Sequence, residues 1–492
     1  MQRFLFECIY LLIIYMKNDN FDNKVTEYGV EVVGVNPIPK NARNMSSRKI
    51  FIFWAMASAS ALTPLVGLEL YNMGLIYAII AVLVALLIGL IPAGLVSEMG
   101  RQIPVPSLIV SRKTYGYGAS GIYSLIFTFL NLGFFGLNDT VGADIISSLT
   151  HTNIILWYII MGIIQVVLVL FGAKWLEYFF RYSAPVLFVS YAILTYFLLT
   201  SYKINISGLL HPVGPFTWGA ALNFVLGFSI LAWSYKISTQ TRFGVPFSNT
   251  AGRIKRMGYF FSSPIGIMLP VLLMGIIGLL GNSVKPGVGW NIAVLSFPAL
   301  HGIFGIVVFI AALGVSLAII HTNAMNLYPA TADLLASIQP LFKKNASEKL
   351  AQPVTTVLLG TGGIILAIAG ILSFISSFID ILASIIFPFT FILIFDWFIH
   401  LRHTTKISDY YVIPKNIFNN IRVDALIPAI IGTVIAIFGI GPYSFIFNYF
   451  PQALFGSLIG LVIYIGIYYG FTSKYVKEKW EKANDYREFD ME

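Results

Sequence analysis

The sequence predicts an all-α polytopic membrane protein with about twelve transmembrane helices. Of its 492 residues, 57% are hydrophobic and 11% are charged, whereas soluble domains carry about 25% charged residues. The mean hydropathy is +0.81. The apolar residues form stretches of about 20, the length that a helix needs to cross the bilayer core, and the basic residues fall between those stretches.

Each apolar stretch is predicted to be a helix, because lipid cannot satisfy the backbone groups that a non-helical segment would leave open. We number these stretches as spans 1 to 12. Span 11 is short, so its ends are the least defined. The spans lie near residues 51–70, 75–97, 120–147, 154–172, 179–200, 219–240, 260–282, 303–328, 355–374, 377–399, 425–440 and 452–471.

The distribution of Lys and Arg predicts which loops face the cytoplasm. Basic residues concentrate on the cytoplasmic side of membrane proteins, where they meet anionic lipid. With both termini in the cytoplasm, 29 of the 31 basic residues fall on that side, and Lys203 and Lys285 fall outside. This arrangement puts Lys236 and Arg242 at the cytoplasmic end of span 6. The net charge of +9 therefore indicates a plasma-membrane protein in contact with the lipid bilayer, not a nucleic-acid binder.

The loops are too short to contain a separate soluble domain. We divide the chain into a cytoplasmic N-terminal arm (1–48), two halves of five spans (49–200 and 201–400), two peripheral helices with the preceding loop (401–471) and a cytoplasmic tail (472–492). No Gly-Lys-Ser/Thr phosphate motif is present, which argues against a built-in ATPase and favours an ion gradient as the energy source.

The first residues of the chain are unusual. Residues 4–15 are apolar but too short to span a membrane, and Glu7 interrupts them. We interpret this run as an over-extended start, with Met16 as the true initiator, rather than as a signal peptide. Cys8 is the single cysteine, which excludes an intramolecular disulfide and a cysteine metal cluster.

Two spans contain residues that break helices. In span 1 the segment from Ser58 to Pro64 is small and rich in hydroxyl groups, and Pro64 disfavours helix at Thr63. In span 6, small and polar residues surround Trp233 in mid-membrane. Interrupted helices at corresponding positions of two halves point to a midplane binding site in a secondary transporter. Their freed carbonyls can hold a cation.

Several segments resemble one transporter family, in that family's order. They are WAMASASALTPLVG in span 1, GRQIPVPSLIVSRKTYGYGASG after span 2, GFFGLNDTVGA in span 3, TRFG after span 6, HTNAMNLYPATADL in span 8 and IIFPFTFILIFDWF in span 10, with Arg402 and Tyr410 beyond. The matches run from about residue 26 to 412. The chain thus resembles the nucleobase:cation symporter family, in its cytosine/purine permease branch.

This resemblance implies a LeuT-like fold, with five plus five helices in inverted repeats and two peripheral helices. It also implies uptake of a nucleobase or a related small heterocycle. The substrate would lie between aromatic side chains of spans 3 and 6, and a cation would lie between spans 1 and 8.

Residues of spans 3 and 6 match the family's substrate pocket. Trp233, preceded by Ala232, matches the stacking aromatic of span 6, and Phe134 matches a Trp of span 3, with Phe135 as the alternative stacker. Phe stacks with less area than Trp, so a smaller or differently oriented substrate is expected. Asn138 shares a helix face with Phe134 and is expected to hydrogen-bond the substrate edge. The alternatives are that Trp233 packs on span 1 and that Asn138 joins helices.

Further candidates for substrate binding come from spans 1 and 8. Ser60 and Thr63 offer hydroxyls to the substrate or to a cation, although small residues there also allow close helix packing. Asn323 and Asn326 are candidate substrate ligands or supporting residues, because they fall in the family's span 8 segment.

The same resemblance suggests the cation ligands. Span 1 would supply backbone carbonyls from Ser58 to Ala61, and span 8 would supply the carbonyl of Ala318 and the hydroxyl of Thr322. Where sodium-type members have two adjacent hydroxyl residues, this chain has His321 before Thr322. An imidazole is a poor Na⁺ ligand, so Na⁺ and H⁺ both stay open as coupling ions, and His321 either titrates or points away and packs.

Span 3 carries two carboxylates, and ionisable residues inside a membrane span are expected to be functional. Asp139 lies deeper, near His321 in the expected fold, and is the candidate proton carrier. Asp144 lies nearer the outer end, where exposure at the interface explains it.

The sequence therefore predicts a symporter that imports a nucleobase-like heterocycle by alternating access, with Na⁺ or H⁺ as the coupling ion and no other cofactor. One alternative is a LeuT-like importer of an amino acid or a vitamin, although span 1 lacks the Gly-rich break that binds an α-carboxylate. A passive channel is the alternative from another class, but polarity is confined to short positions in spans 1, 3, 6 and 8. An enzyme would require clustered His or carboxylates. The sequence leaves the oligomeric state open.

Overall fold

The predicted all-α fold class is confirmed. The computed structural model describes residues 26–27, 30–31, 34–295, 297, 302–338, 348–412, 414, 416 and 420–472. Cys8, residues 4–15, Met16 and residues 473–492 of the predicted tail lie outside the described residues. Before span 1, Thr26–Glu27 pairs antiparallel with Val30–Glu31.

The helices follow the predicted stretches and mostly extend beyond them. The first six spans comprise Ser47–Ser58 with Leu65–Glu69, then Gly74–Gln102, Tyr117–Thr150, Ile154–Leu170, Gly172–Ser201, and Trp218–Phe228 with Ile230–Ser234 and Ile237–Thr241. The last six comprise Arg253–Val284, Ile303–Ile338, Glu348–Ile368, Ile375–Asp396, Val423–Phe438 and Gln452–Ile467. A short helix, Ser107–Thr114, joins spans 2 and 3.

Most of these helices are long enough to cross a membrane. Within the described part of the chain, nine helices are long and apolar enough, and a bent pair brings the number to ten. The bent pair is span 11, where Val423–Phe438 and Gly441–Asn448 meet at 75°. The two other predicted spans are the 17-residue Ile154–Leu170 and the interrupted span 1. Large apolar side chains such as Phe188 are exposed on the outer faces, as expected for surfaces that face lipid.

Span 1 is interrupted where the sequence predicts. Its first helix ends at Ser58 and its second begins at Leu65. Between them, the Thr63 hydroxyl donates to the Ser58 carbonyl at 2.5 Å, and the Leu62 N–H donates to the Ser60 hydroxyl at 3.1 Å. Side chains thus satisfy backbone groups that a continuous helix would have paired, which allows the break to be buried.

Span 6 is also interrupted, but on either side of Trp233 rather than at it. The first helix ends at Phe228, because Ser229 has φ −128° and ψ −108°, outside the helical region. Trp233 lies in the one-turn helix Ile230–Ser234, and Tyr235 and Lys236 separate this helix from Ile237–Thr241. The two breaks therefore present Trp233 from a short, separately oriented turn.

Span 7 packs along spans 1 and 2, and span 8 packs along span 3. The contact between spans 1 and 7 is exceptionally close. A Cβ added at Gly67 would overlap the Gly275 carbonyl, and one added at Gly278 would overlap the Pro64 carbonyl. Small residues permit such backbone approach in membrane bundles. The second helix of span 1 is thereby held directly against span 7.

A buried ionic cluster joins spans 10, 11 and 12. Asp396 accepts hydrogen bonds from Arg422 at 3.1 Å and from the Tyr464 hydroxyl at 2.5 Å, and Arg422 also contacts Asp424 at 2.6 Å. Burial opposes the charge of the Arg422 guanidinium, but the Asp396 and Asp424 carboxylates outweigh burial and raise its pKa. The cluster therefore fixes the two peripheral spans to span 10.

The chain before span 1 crosses the ends of several spans. Arg242, at the end of span 6, donates to the Gly34 carbonyl at 3.0 Å. The Gly34 N–H donates to Gln352 at 2.7 Å, and the Tyr411 hydroxyl donates to the Val35 carbonyl at 2.7 Å. Arg242 therefore serves to anchor this segment, in agreement with its predicted position at a span end.

Candidate substrate and cation site

The interruptions of spans 1 and 6 face one small cavity between spans 1, 3, 6, 7 and 8. It encloses about 10 Å³, room for about one water molecule. A planar heterocycle therefore requires the walls to move apart. The cavity is lined by Ser58, Ser60, Leu62, Thr63, Phe134, Asn138, Phe228, Ser229, Trp233, Val271 and Thr322.

The two predicted stacking aromatics both line this cavity. Trp233 also packs on span 1, with 5.9 Å between its ring centroid and that of Trp54. The alternative role of packing on span 1 therefore applies to part of the Trp233 ring as well. The Trp233 indole N–H is buried and has no partner among the described residues. Phe134 meets Phe228 edge to face at 6.4 Å. Phe135 instead packs towards Gly363 of span 9, so it is not the stacker at this cavity.

Asn138 and Ser60 contact each other across the cavity. The Ser60 hydroxyl donates to the Asn138 side-chain carbonyl at 2.5 Å, and the Asn138 amide donates to the Phe134 backbone carbonyl at 2.8 Å. Two candidate groups for substrate binding therefore satisfy one another, and this bond also joins spans 1 and 3.

Three other predicted substrate ligands do not line the cavity. Ala232 is buried beside Trp233. The Asn323 amide donates to Gln165 at 2.7 Å and to the Phe135 carbonyl at 2.9 Å. Asn326 accepts from Lys236 at 3.0 Å. In this arrangement neighbouring polar groups hold the Asn323 and Asn326 amides, and direct substrate contact by these three residues stays a prediction.

One of the predicted cation ligands, Thr322, lies where spans 1 and 8 meet. The Thr322 hydroxyl donates to the Ala57 carbonyl at 2.6 Å, so the two spans touch through oxygen atoms. The Ser58 hydroxyl donates to the Ile267 carbonyl at 2.7 Å, and the Ser58 carbonyl accepts from the Thr63 hydroxyl at 2.5 Å. Ala61 and Ala318 are fully buried on the same two spans. Among the described residues, no group of three His, Cys, Asp or Glu side chains is arranged to hold a metal.

His321 points away from this junction. Its Nε2 lies 2.6 Å from the Ser183 hydroxyl of span 5, and its ring stacks on Phe179 with 4.9 Å between centroids. Among the two alternatives for His321, the structure shows the packed one. The side chain therefore neither supplies a ligand to a cation between spans 1 and 8 nor contacts Asp139 in the described structure.

Asp139 is fully buried in span 3. One of its carboxylate oxygens accepts from the Gln165 amide at 3.3 Å, and the other has no partner among the described residues. A buried carboxylate that lacks a cationic partner is costly, and a bound proton removes its charge. Asp144, one turn or so further along, is half-buried, in agreement with its expected position near the surface.

Lys236 is the main correction to the sequence interpretation. It was placed at the cytoplasmic end of span 6, but its side chain is 1% exposed and contacts the aromatic pair. Its ammonium lies 4.7 Å from the centre of the Trp233 ring and 5.7 Å from that of Phe134. The signal was present, because Lys236 follows Trp233 by three residues and stands inside an apolar span. The distribution of basic residues along the chain placed Lys236 at the cytoplasmic end of span 6 instead.

Sequence reasoning also missed some neutral residues. Phe228 and Ser229 line the cavity because the first break of span 6 falls at Ser229. Asn131 and Gln165 are amides in otherwise apolar stretches, and both connect the candidate residues to other spans. Polarity within spans 3 and 4 was the signal that could have found them.

Comparisons with known proteins identify the family. The family model that matches is described as permease for cytosine/purines, uracil, thiamine, allantoin, and it covers residues 37–460. A hydantoin permease of Microbacterium maritypicum is 24% identical over 62% of this chain and 62% of its own length. The chain thus matches less than two thirds of that relative. A candidate purine-cytosine permease, YxlA, of Bacillus subtilis (strain 168) is 23% identical over 76% of this chain and 80% of its own length.

Solved structures share the fold. Mhp1, described as a nucleobase-cation-symport-1 family transporter, in a closed conformation with bromovinylhydantoin bound, has a TM-score of 0.74 at 19% identity, covering 91% of this chain and 96% of Mhp1. An inward-facing conformation of Mhp1 gives 0.65 at 17% identity, with coverage of 90% and 96%. A Na⁺-coupled sialic acid symporter in an outward-open state gives 0.64 at 10% identity, with coverage of 94% and 95%.

These similarities confirm the LeuT-like fold, with two peripheral helices after the ten core helices. The family match also identifies a multi-pass permease rather than an enzyme. The match covers most of the chain, from the residues just before span 1 to span 12. The chain belongs to the family of permeases for cytosine/purines, uracil, thiamine and allantoin.

Proposed function

We propose that this protein imports a nucleobase or a related small heterocycle through the plasma membrane, coupled to Na⁺ or H⁺, with both termini in the cytoplasm. The observation that supports this most directly is the meeting of two interrupted spans at one cavity between Trp233 and Phe134. Freed backbone groups and two ring faces suit a small planar molecule and an ion. The hydantoin and purine-cytosine permeases among the relatives point to the same class of substrate.

In this proposal the heterocycle enters between the rings of Trp233 and Phe134 as they separate. Stacking on the two rings contributes about 1–3 kcal/mol per base. Asn138 and Ser60 open their mutual hydrogen bond and turn to the substrate edge, where an amide offers both donor and acceptor. A ligand favours one state of the transport cycle only if it binds that state better, so closure around the substrate would drive the change of access.

Two places suit a coupling ion. The junction of Ala57 and Thr322 offers oxygen ligands of the kind that Na⁺ prefers. The carboxyl of Asp139, with one oxygen unpartnered, suits a transported proton. Spans 1, 3 and 8 connect both places to the cavity, so occupation of either would act on the walls of the substrate pocket.

The proposal is tested by uptake into proteoliposomes with the purified full-length chain. Radiolabelled cytosine, uracil, adenine, hypoxanthine, allantoin, hydantoin and thiamine are each offered under an imposed Na⁺ gradient, H⁺ gradient or neither. We expect accumulation of at least one heterocycle above its external concentration under one gradient. Accumulation of thiamine alone would favour the importer of a vitamin, and equilibration without accumulation would favour a channel.

Replacing the buried carboxyl tests proton coupling. Asp139→Asn keeps the shape but cannot carry a proton, so we expect H⁺-driven uptake to fall at least about tenfold (about 1.4 kcal/mol). Asp144→Asn, in the same span but half-buried, is the matched control and should retain H⁺-driven uptake. Uptake that still follows the pH gradient in Asp139→Asn would exclude Asp139 as the proton carrier.

The hydroxyl between spans 1 and 8 tests sodium coupling. Thr322→Val removes the side-chain oxygen at this junction, so the Na⁺ concentration for half-maximal uptake should rise at least about tenfold. Thr331→Val is the control, because its hydroxyl bonds to the Leu327 carbonyl further along the same helix. An unchanged Na⁺ requirement in Thr322→Val would show that Na⁺ binds elsewhere.

A further inference from the structure

Lys236 places a charged group directly behind the aromatic pair. The side chain is 1% exposed and extends from the second break of span 6, one turn after Trp233. Its ammonium approaches the faces of both rings, at 4.7 Å for Trp233 and 5.7 Å for Phe134. A cation buried at a binding cavity is costly to maintain, so its position calls for an explanation beyond packing.

Two amides hold the ammonium in a fixed position. Lys236 Nζ donates to the side-chain carbonyl of Asn131 in span 3 and to that of Asn326 in span 8, each at 3.0 Å. Both acceptors are neutral amides. Among the described residues no carboxylate forms an ion pair with the ammonium, but the buried Asp333 carboxylate, which accepts from the Asn131 amide, attracts it at longer range. Of its three N–H groups, two are therefore accepted by described protein atoms.

Further hydrogen bonds fix the orientation of both amides. The Asn131 amide donates to the Tyr235 hydroxyl at 2.6 Å and to an Asp333 oxygen at 3.1 Å. The Asn326 amide donates to the Asn323 carbonyl at 3.4 Å. With their nitrogens engaged, both amides must present oxygen to the lysine. The network therefore holds the ammonium near the ring faces and accepts two of its three N–H groups. The third N–H group stays available as a donor.

Lys236 could reach a substrate only after the cavity opens. Lys236 lies behind the rings and does not line the 10 Å³ cavity. A heterocycle occupies far more space than one water, so Trp233 and Phe134 must separate to admit it. A molecule that enters between these two rings comes within reach of the group that contacts both of them.

We propose that Lys236 is a specificity-determining residue that donates a hydrogen bond to a carbonyl oxygen of the substrate and thereby selects heterocycles with an oxo edge, –CO–NH–, over those with the amino edge, –C(NH2)=N–. This inference rests on the proposed function and specifies the substrate class of the same site. An ammonium has three donors and no acceptor. An oxo edge presents a carbonyl oxygen to it as an acceptor, and an exocyclic amine at the same position presents another donor.

The chemical consequence is discrimination between closely matched rings. Uracil and cytosine differ by an oxygen and an amine at one ring position, and hypoxanthine and adenine differ in the same way. A buried site that is built to hydrogen-bond a substrate group rejects the analogue that leaves the site unpaired. The oxo member of each pair should therefore bind better.

The test measures competition binding of these four compounds to the purified full-length protein. In the wild type we expect uracil to bind at least about tenfold more tightly than cytosine, and hypoxanthine at least about tenfold more tightly than adenine (about 1.4 kcal/mol). Lys236→Gln, whose amide can donate or accept, should reduce both ratios below about threefold. Lys236→Arg keeps a donor-only cation and should retain the order of preference.

Gln240→Met is the matched control, because it changes another buried polar side chain one turn further along without removing the ammonium. It should retain both ratios. Size-exclusion profiles establish whether each variant is folded. The affinity ratios of the wild type test the proposal even if a variant does not fold.

Wild-type ratios below threefold, or a preference for the amino compounds, would overturn the assignment. Equal weakening of oxo and amino compounds in Lys236→Gln would also overturn it, because that result indicates a structural role. If the wild type accumulates and binds none of the heterocycles, the proposed function itself fails and the inference falls with it. Binding of heterocycles without discrimination leaves the proposed function standing and removes only the role of Lys236.

Discussion

Trp233→Ala is expected to weaken substrate binding by about 10- to 100-fold, which corresponds to about 1–3 kcal/mol of lost stacking on one ring face. The reason is that Trp233 lines the cavity with a face opposite span 3 and is held there by the two breaks of span 6. Equilibrium binding of the substrate found in the uptake screen measures the effect. Trp233→Phe should recover part of the affinity, because a smaller ring still stacks.

Loss of packing is the alternative explanation for that result, since Trp233 also contacts Trp54 at 5.9 Å. Thermal unfolding of each purified variant separates stability from binding. Trp218→Ala is the control, because Trp218 lies at the start of span 6 against Tyr77 and Phe216, away from the cavity. Full affinity in Trp233→Ala, or an equal loss in Trp218→Ala, would refute the stacking role.

Gly278→Ala is expected to prevent stable folding. A methyl group at Gly278 would overlap the Pro64 carbonyl, and backbone atoms cannot rotate away as a side chain can. Overpacking usually costs about 1–3 kcal/mol, and we expect the upper end or more here because two helix backbones must separate. The measurement is the yield of monodisperse protein and its thermal midpoint in detergent.

The same helix supplies a matched control. A Cβ at Gly275, one turn before Gly278, would lie 3.5 Å from the Val66 side chain, an ordinary contact. Gly275→Ala should therefore fold normally and retain uptake. If Gly278→Ala were as stable as Gly275→Ala, the second helix of span 1 would not be held against span 7 as closely as described.

Much of the architecture could be predicted from the sequence, because the membrane restricts a spanning chain to a few solutions. Hydrophobic length identified the spans, and Pro64 with its small neighbours identified the break in span 1. The break in span 6 was predicted at Trp233 but falls at Ser229 and at Tyr235–Lys236, because backbone angles at single residues decide it and no proline marks them.

Side-chain directions were harder to predict than helix positions. Trp233, Phe134, Asn138 and Ser60 were each expected at the site and lie at one cavity. His321 turns to Ser183 in span 5 instead. Its partner is distant in sequence, so spacing along span 8 alone could not reveal the direction.

Charge counting also has a limit that Lys236 makes plain. The rule that assigns basic residues to loops treats every lysine near a span end alike. Asn131 and Asn326 come from spans 3 and 8, and their side-chain oxygens help to make the burial of this lysine tolerable. A residue whose environment is assembled from two distant segments gives no sign of that environment in its local sequence.

In the proposed mode of binding, the hydrogen bond between Ser60 and Asn138 would determine how this cavity selects its substrate. Because each group already has a partner, a substrate that replaces this bond gains little net free energy from its polar edge. A mismatched ring, by contrast, would break the bond between Ser60 and Asn138 without offering either group a new partner. Each buried polar group left without a hydrogen bond costs about 1–3 kcal/mol. Recognition would then act by penalising the wrong molecule, while the ring faces supply the attraction for right and wrong molecules alike.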